Sequence, residues 1–136
     1  MNAETNLQTL LASMEPELQP EEFVFTTVLP VDLRELQIKP WGWFREAEGI
    51  TLILEKRSAI EAGLVYAFPS RLITLTVHSS LEAVGFLAVI TERLAAAGIS
   101  VNTISAYYHD HLFVPIDRVN QAIEILHQIM QDNNKR

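Results

Sequence analysis

The groups that could do chemistry in this chain are few and cluster in short runs. His109, Asp110 and His111 are consecutive, with His78 elsewhere in the sequence. On an extended strand His109 and His111 would share a face, and two imidazoles with a carboxylate would make a cation site. Asp110 is equally an ordinary turn residue, and Tyr107 and Tyr108 before it suit a β-hairpin. The triplet is therefore read as a polar hairpin lip, with no metal and no other cofactor expected. Glu46 and Glu48 flank a turn. Paired carboxylates exchange protons usefully only in a closed, desolvated pocket, and a hairpin tip is wet. Nucleophilic catalysis lacks its parts: there is no cysteine, no Gly-x-Ser-x-Gly elbow and no glycine-rich phosphate loop after a strand. The chain is expected not to be an enzyme.

The segment from His78 through Ser79, Ser80, Leu81 and Val84 to Gly85 is more informative. It joins an apolar strand to the start of a helix, where unpaired backbone N–H groups and the helix dipole favour a carboxylate or other anion. Ser79 and Ser80 can donate hydroxyl hydrogen bonds, and Gly85 lets a ligand or another backbone come close. The plainer alternative is that one serine caps the helix and Gly85 only eases packing. Asn102, on a strand expected to run near this turn, carries an amide able both to donate and to accept; it reads equally well as a water-facing edge residue.

Several elements must position these groups. Leu7, Leu10, Leu11 and Met14 have the spacing of one helix face, with Thr5 or Asn6 as cap and Pro16 as stop. Residues 23–29 are a strand closed by Pro30. Residues 41–45 and 50–55 form a hairpin about Gly49, and 57–63 form a short helix stopped by its glycine. A short strand at 65–68 precedes Pro69 and a strand at 71–77. A helix at 81–97 follows, with Val84, Leu87, Ala88 and Leu94 inward and Gly98 past its end. A strand at 99–108, a turn at His109-Asp110, a strand at 111–115 and a last helix capped by Asp117 complete the chain. In that helix Val119, Ala122, Ile123, Leu126 and Ile129 keep the helical rhythm.

The second half thus runs β-α-β-β-α, a split βαβ unit without its last strand, and the first half is the same unit without its first helix. The expected fold is α+β, ferredoxin-like, with two degenerate βαββαβ copies packed as one unit: 1–69 with a leading helix, 70–132, and a tail at 133–136. No repeat is visible at the level of residues. The edge beside the first strand of the second copy is empty, and an apolar edge invites unwanted pairing. A strand of the first half, or a second chain, should cover it.

Composition bounds the function classes. Of 136 residues 49% are hydrophobic and 20% charged, which is the balance of a globular chain. The net charge of −7 with scattered basic residues speaks against a nucleic-acid partner, which needs clustered Lys or Arg. Glu82, Thr91, Glu92 and Arg93 interrupt the most apolar stretch, so no membrane span is expected. Without cysteines or a signal-type N-terminus, the expected location is the cytoplasm.

Residues 71–130 resemble the ACT domain, a small amino-acid-binding regulatory module. The likeness lies in Leu75-Thr76-Val77-His78-Ser79-Ser80-Leu81-Glu82-Ala83-Val84-Gly85, in Leu94-Ala95-Ala96-Ala97-Gly98-Ile99 and in Asn102-Thr103-Ile104-Ser105. With Phe44-Arg45-Glu46-Ala47-Glu48-Gly49-Ile50-Thr51-Leu52 and Tyr107-Tyr108-His109-Asp110-His111-Leu112-Phe113-Val114-Pro115, the whole chain is similar to the bacterial family of small tandem ACT-like proteins. That family is itself similar to the ACT pairs of cytosolic arginine sensors. Many ACT domains carry an Asp-x-Pro-Gly type turn where this chain has His-Ser-Ser-Leu-Glu-Ala-Val-Gly, and only Gly85 has a counterpart. The resemblance implies a non-catalytic sensor that binds a small molecule, an amino acid, at the seam between halves or subunits; the empty sheet edge and the common preference for two-fold assemblies make a homodimer the expected state. His78, Ser79, Ser80, Leu81, Val84 and Gly85 would hold the carboxylate end. Asn102, Thr103, Ile104 and Ser105 would supply the other contacts by backbone and side chain. The alternative it leaves is a dimerisation or docking module that acts on a partner enzyme without a ligand.

Overall fold

A computed structural model describes residues 3–134. Its elements are α1 (Leu7–Ser13), β1 (Pro16–Val28), α2 (Pro30–Leu33), β2 (Gly42–Arg45), β3 (Ile50–Glu55), α3 (Lys56–Glu61), β4 (Ala67–Leu75), α4 (Phe86–Ala96), β5 (Asn102–Ser105), β6 (Asp110–Pro115), a 3-10 turn (Ile116–Arg118) and α5 (Val119–Asn133). No helix among the described residues is long and apolar enough to cross a membrane.

The chain forms two compact units that do not follow chain order. One holds Pro20–Arg71; the other joins the described residues up to Gln19 with those from Leu72 onward. Long strands cause this division. The sequence suggests a strand at 23–29, yet β1 begins seven residues earlier and passes through Pro20. The separate strands read at 65–68 and 71–77 are one strand, β4, which continues through Pro69 with Phe68 at φ 56. Each of the two strands has one end in each unit.

In the unit 20–71 the strand order is β2-β3-β1-β4. β3 pairs antiparallel with β1, Val28 against Ile50, and with β2, Arg45 against Ile50. The single turn α2 stands where a ferredoxin-like unit has its first helix, because Pro30 starts a helix that no apolar repeat extends. A Cβ on Gly49 would lie 2.7 Å from Thr27 Oγ1 and 3.0 Å from Val28 O, so the hairpin closes only on glycine. Val24, Val28, Ile50, Leu52, Leu54 and Ala59 form the core of this unit.

In the other unit the order is β1-β4-β6-β5. The first residues of β1 occupy the place of a fourth strand beside β4, so the edge left open by the order of elements is filled from within the chain. Gln19 Nε2 donates to Thr74 Oγ1, and the pairing continues past the strands with Thr76 N and Val77 N donating to the carbonyls of Glu15 and Met14. Asn6 caps α1 by accepting from Thr9 N, and Leu10, Leu11 and Met14 are buried with Leu126 and Ile129 of α5 in one cluster. Val119 and Ala122 complete the buried stripe of α5, whose first turn is preceded by the 3-10 turn and not capped by Asp117.

Helix α4 departs most from the sequence reading. It starts at Phe86, five residues later than periodicity suggests, because Gly85 takes a left-handed conformation (φ 90) at the N-cap. Ser80 Oγ accepts from Glu82 N and Ser80 O from Ala83 N, which makes residues 80–83 a turn of their own. The later start rotates the buried face onto Phe86, Ile90 and Leu94, while Ala88 and Val84 face outward.

Candidate ligand-binding site

The first intrahelical bond of α4 runs from Val89 N to Gly85 O, so the amides of Phe86, Leu87 and Ala88 have no acceptor within the helix. They sit at its positive end. A cavity of 160 Å³ opens there, lined by Ser79, Ser80, Leu81, Ala83, Gly85, Phe86, Leu87, Ala88, Ser105, Ala106 and Asp110. All of these belong to the unit that contains α4 and α5.

Asp110 supplies the opposite polarity. It opens β6, pairs with Ser105 of β5, and is only 6% exposed. Ser79, also 6% exposed, donates its hydroxyl to Asp110 Oδ2 at 2.9 Å. One such bond leaves most of the acceptor capacity of a carboxylate unused. The hairpin turn is not at His109-Asp110 but at residues 106–109, closed by Ala106 N donating to His109 O. That shift moves Asp110 from an exposed tip into a strand.

Five residues expected at a site line this cavity: Ser79, Ser80, Leu81, Gly85 and Ser105. Five others lie elsewhere. His78 borders a different pocket, with Thr76, Tyr107, Tyr108 and His109. Val84 is 83% exposed in the turn before α4. Asn102, Thr103 and Ile104 belong to β5, which lies at the edge of its sheet, and only its last residue reaches the cavity. Asp110, Phe86, Leu87 and Ala88 also line the cavity, although the sequence reading places Asp110 in a turn and names no residue beyond Gly85 at the helix start. A carboxylate between two imidazoles looks like a turn residue until the register of the hairpin is known.

The histidines form no metal group: among the described residues no three His, Asp or Glu side chains converge so as to hold an ion. His111 Nδ1 lies 3.0 Å from Thr74 Oγ1. Burial holds its pKa below the ordinary value of 6.5, the charge of His109 adds to this, and Asp110 partly opposes it. The folded state therefore resists a proton that the unfolded chain accepts. This contribution to stability is complete above about pH 6.5 and fades as the pH falls through the folded pKa. Melting of the wild type between pH 7.5 and 5 should consequently fall more steeply than that of His111→Gln. The difference should be modest, since water reaches part of the ring and screens it. Parallel curves would show that His111 contributes no linkage.

Glu46 and Glu48 are exposed, and Thr51 Oγ1 donates to Glu46. Trp41 lies edge-on to the buried Phe23 at 4.8 Å and donates to Glu55 Oε2 at 3.3 Å, a packing role.

Two ferredoxin-like α+β units, one with a cavity between a helix N-terminus and a buried carboxylate, define a tandem regulatory fold. The chain belongs to the ACT-domain family: an ACT-domain model matches residues 2–71 and a second one matches residues 67–128. ACT domains are commonly regulatory, ligand-binding modules. Among solved structures, a Vibrio cholerae protein of unknown function, described as a possible transport protein, is 46% identical over 91% of this chain and 95% of its own, with a TM-score of 0.79. The regulatory subunit of aspartate kinase from Thermus flavus matches 87% of this chain and 98% of its own at 12% identity and a TM-score of 0.68. A protein from Agrobacterium tumefaciens matches 85% of this chain and 87% of its own at 11% identity and a TM-score of 0.66. The last two are likenesses of fold. A comparison with curated proteins gave no match.

Proposed function

We infer that this chain is a non-catalytic sensor that binds a free amino acid in the cavity at the start of α4. The observation that carries the reading is that one small cavity is lined both by first-turn residues of α4, whose amides have no acceptor within the helix, and by the buried Asp110. A zwitterion satisfies both: its carboxylate takes the amides of Phe86, Leu87 and Ala88, and its ammonium takes Asp110. Ser79 holds the Asp110 carboxylate in place, and Gly85 keeps the approach to the amides free of a Cβ. Ser80, Leu81 and Ser105 shape the walls. The volume of 160 Å³ is close to the roughly 150 Å³ of a cavity that accommodates benzene, which suits an amino acid with a short side chain. Binding would regulate by favouring one of two states of the protein or its assembly, through unequal affinity for them. A homodimer working in the cytoplasm fits this role.

Thermal melts with each of the twenty amino acids test the reading. A ligand at 100 times its Kd adds about 2.7 kcal/mol, a shift of several degrees. Short-chain amino acids should stabilise most, and methyl esters that lack the carboxylate charge should not. A flat response to all twenty at millimolar concentration would leave only the docking role. Exposed Leu81 and Val84 beside the cavity favour that second reading.

A further inference from the structure

A second pocket, of 570 Å³, is lined by Thr76, His78, Tyr107, Tyr108 and His109 and shares no residue with the cavity at Asp110. Its volume lies in the range of small-molecule sites, about 300–1,000 Å³. Four of its five residues carry aromatic rings, and none is a lysine, an arginine or a carboxylate. The rings are close but inclined. Tyr107 and Tyr108 lie 4.9 Å apart at 68°, His78 and Tyr108 5.2 Å at 50°, and Tyr108 and His109 6.3 Å at 47°. Parallel rings would make a slot for a flat molecule, whereas inclined rings border a space on several sides and suit a compact group.

The polar atoms do not ask for an anion. Thr76 Oγ1 already donates to Glu15 O at 2.8 Å. His109 Nδ1 lies 3.1 Å from Val77 O, and because a carbonyl only accepts, Nδ1 carries the proton. Aromatic faces carry negative potential and attract cations whose centre lies within about 6 Å of a ring. The net charge of −7 raises the local concentration of cations. The tyrosines stay 72% and 60% exposed, so a ligand can reach them.

The geometry points to an aromatic cage for a compact organic cation, a methylated ammonium group, formed by His78, Tyr107, Tyr108 and His109. Titration of the intact protein with choline, followed by calorimetry and by the tyrosine ring signals in NMR, tests it. Saturable binding of choline is expected. The neutral isostere 3,3-dimethyl-1-butanol should bind about five- to tenfold more weakly, and Tyr108→Leu should lose a similar factor. Tyr108→Phe keeps the ring and should keep the affinity. The exposed position of Tyr108 lets both variants fold, which an unchanged melting temperature verifies. Equal binding of the neutral isostere, preference for flat indole over choline, no saturable choline binding, or unchanged affinity in folded Tyr108→Leu would each overturn the cage. Asp110→Asn should leave choline binding intact, so this site and the amino-acid cavity fail or stand separately.

Discussion

Replacing Asp110 by Asn should weaken binding of the amino-acid ligand roughly 10- to 100-fold, the worth of a hydrogen bond to a charged group in a desolvated place. The substitution keeps size and shape, and the Asn oxygen can still accept from the Ser79 hydroxyl. It removes the charge and turns the other acceptor oxygen into an NH2 donor. Because a buried carboxylate held by one hydroxyl is costly, the unliganded variant should melt at or above the wild-type temperature. The two readouts together are diagnostic: unchanged or higher stability without ligand, and loss of the ligand-induced shift. If Asp110→Asn melted several degrees lower yet kept its ligand response, the carboxylate would be a structural group and the zwitterion reading would fall.

A fragment of residues 70–136 should show no cooperative unfolding transition, although it holds nearly all of the second family match. It lacks the strand beside β4, which comes from the first residues of β1, and it lacks α1. Leu10, Leu11 and Met14 are fully or nearly fully buried. Burying such side chains contributes about 1.5–3 kcal/mol each, and the three together rival the 5–15 kcal/mol that holds a whole domain. The fragment would also present the bared edge of β4 for pairing with other chains. Circular dichroism melts and sedimentation would register an unfolded or aggregating species. Joining residues 3–19 to residues 72–134 through a short Gly-Ser turn should restore a sharp transition, because those ends lie on neighbouring strands and rebuild the compact unit. A cooperative monomeric 70–136 would show that the borrowed strand is dispensable.

These expectations divide along the same line as the legibility of the chain. Local features could be read residue by residue. The stripe Val119, Ala122, Leu126 and Ile129 is buried as its spacing requires, Asn6 caps α1, and Gly98 takes φ 71 after α4. The hairpin about Gly49 follows from its turn chemistry, and the neighbourhood of the cavity from the polar turn before a helix. Each depends on neighbours within about one or two turns, where side-chain spacing and backbone sterics act directly.

The amino-acid sequence by itself determined two α+β copies, an apolar edge needing cover, and a polar turn leading into a helix. Tertiary structure alone decided which strand covers that edge and which carboxylate enters the cavity. The backbone hydrogen bonds of a sheet are the same for every side chain, so the choice of β1 as neighbour of β4 rests on the burial of Leu10, Leu11 and Met14 behind it. A single step in the hairpin separates an Asp110 at a wet tip from one buried against Ser79, and that step is taken by the pairing of Ser105 with Asp110.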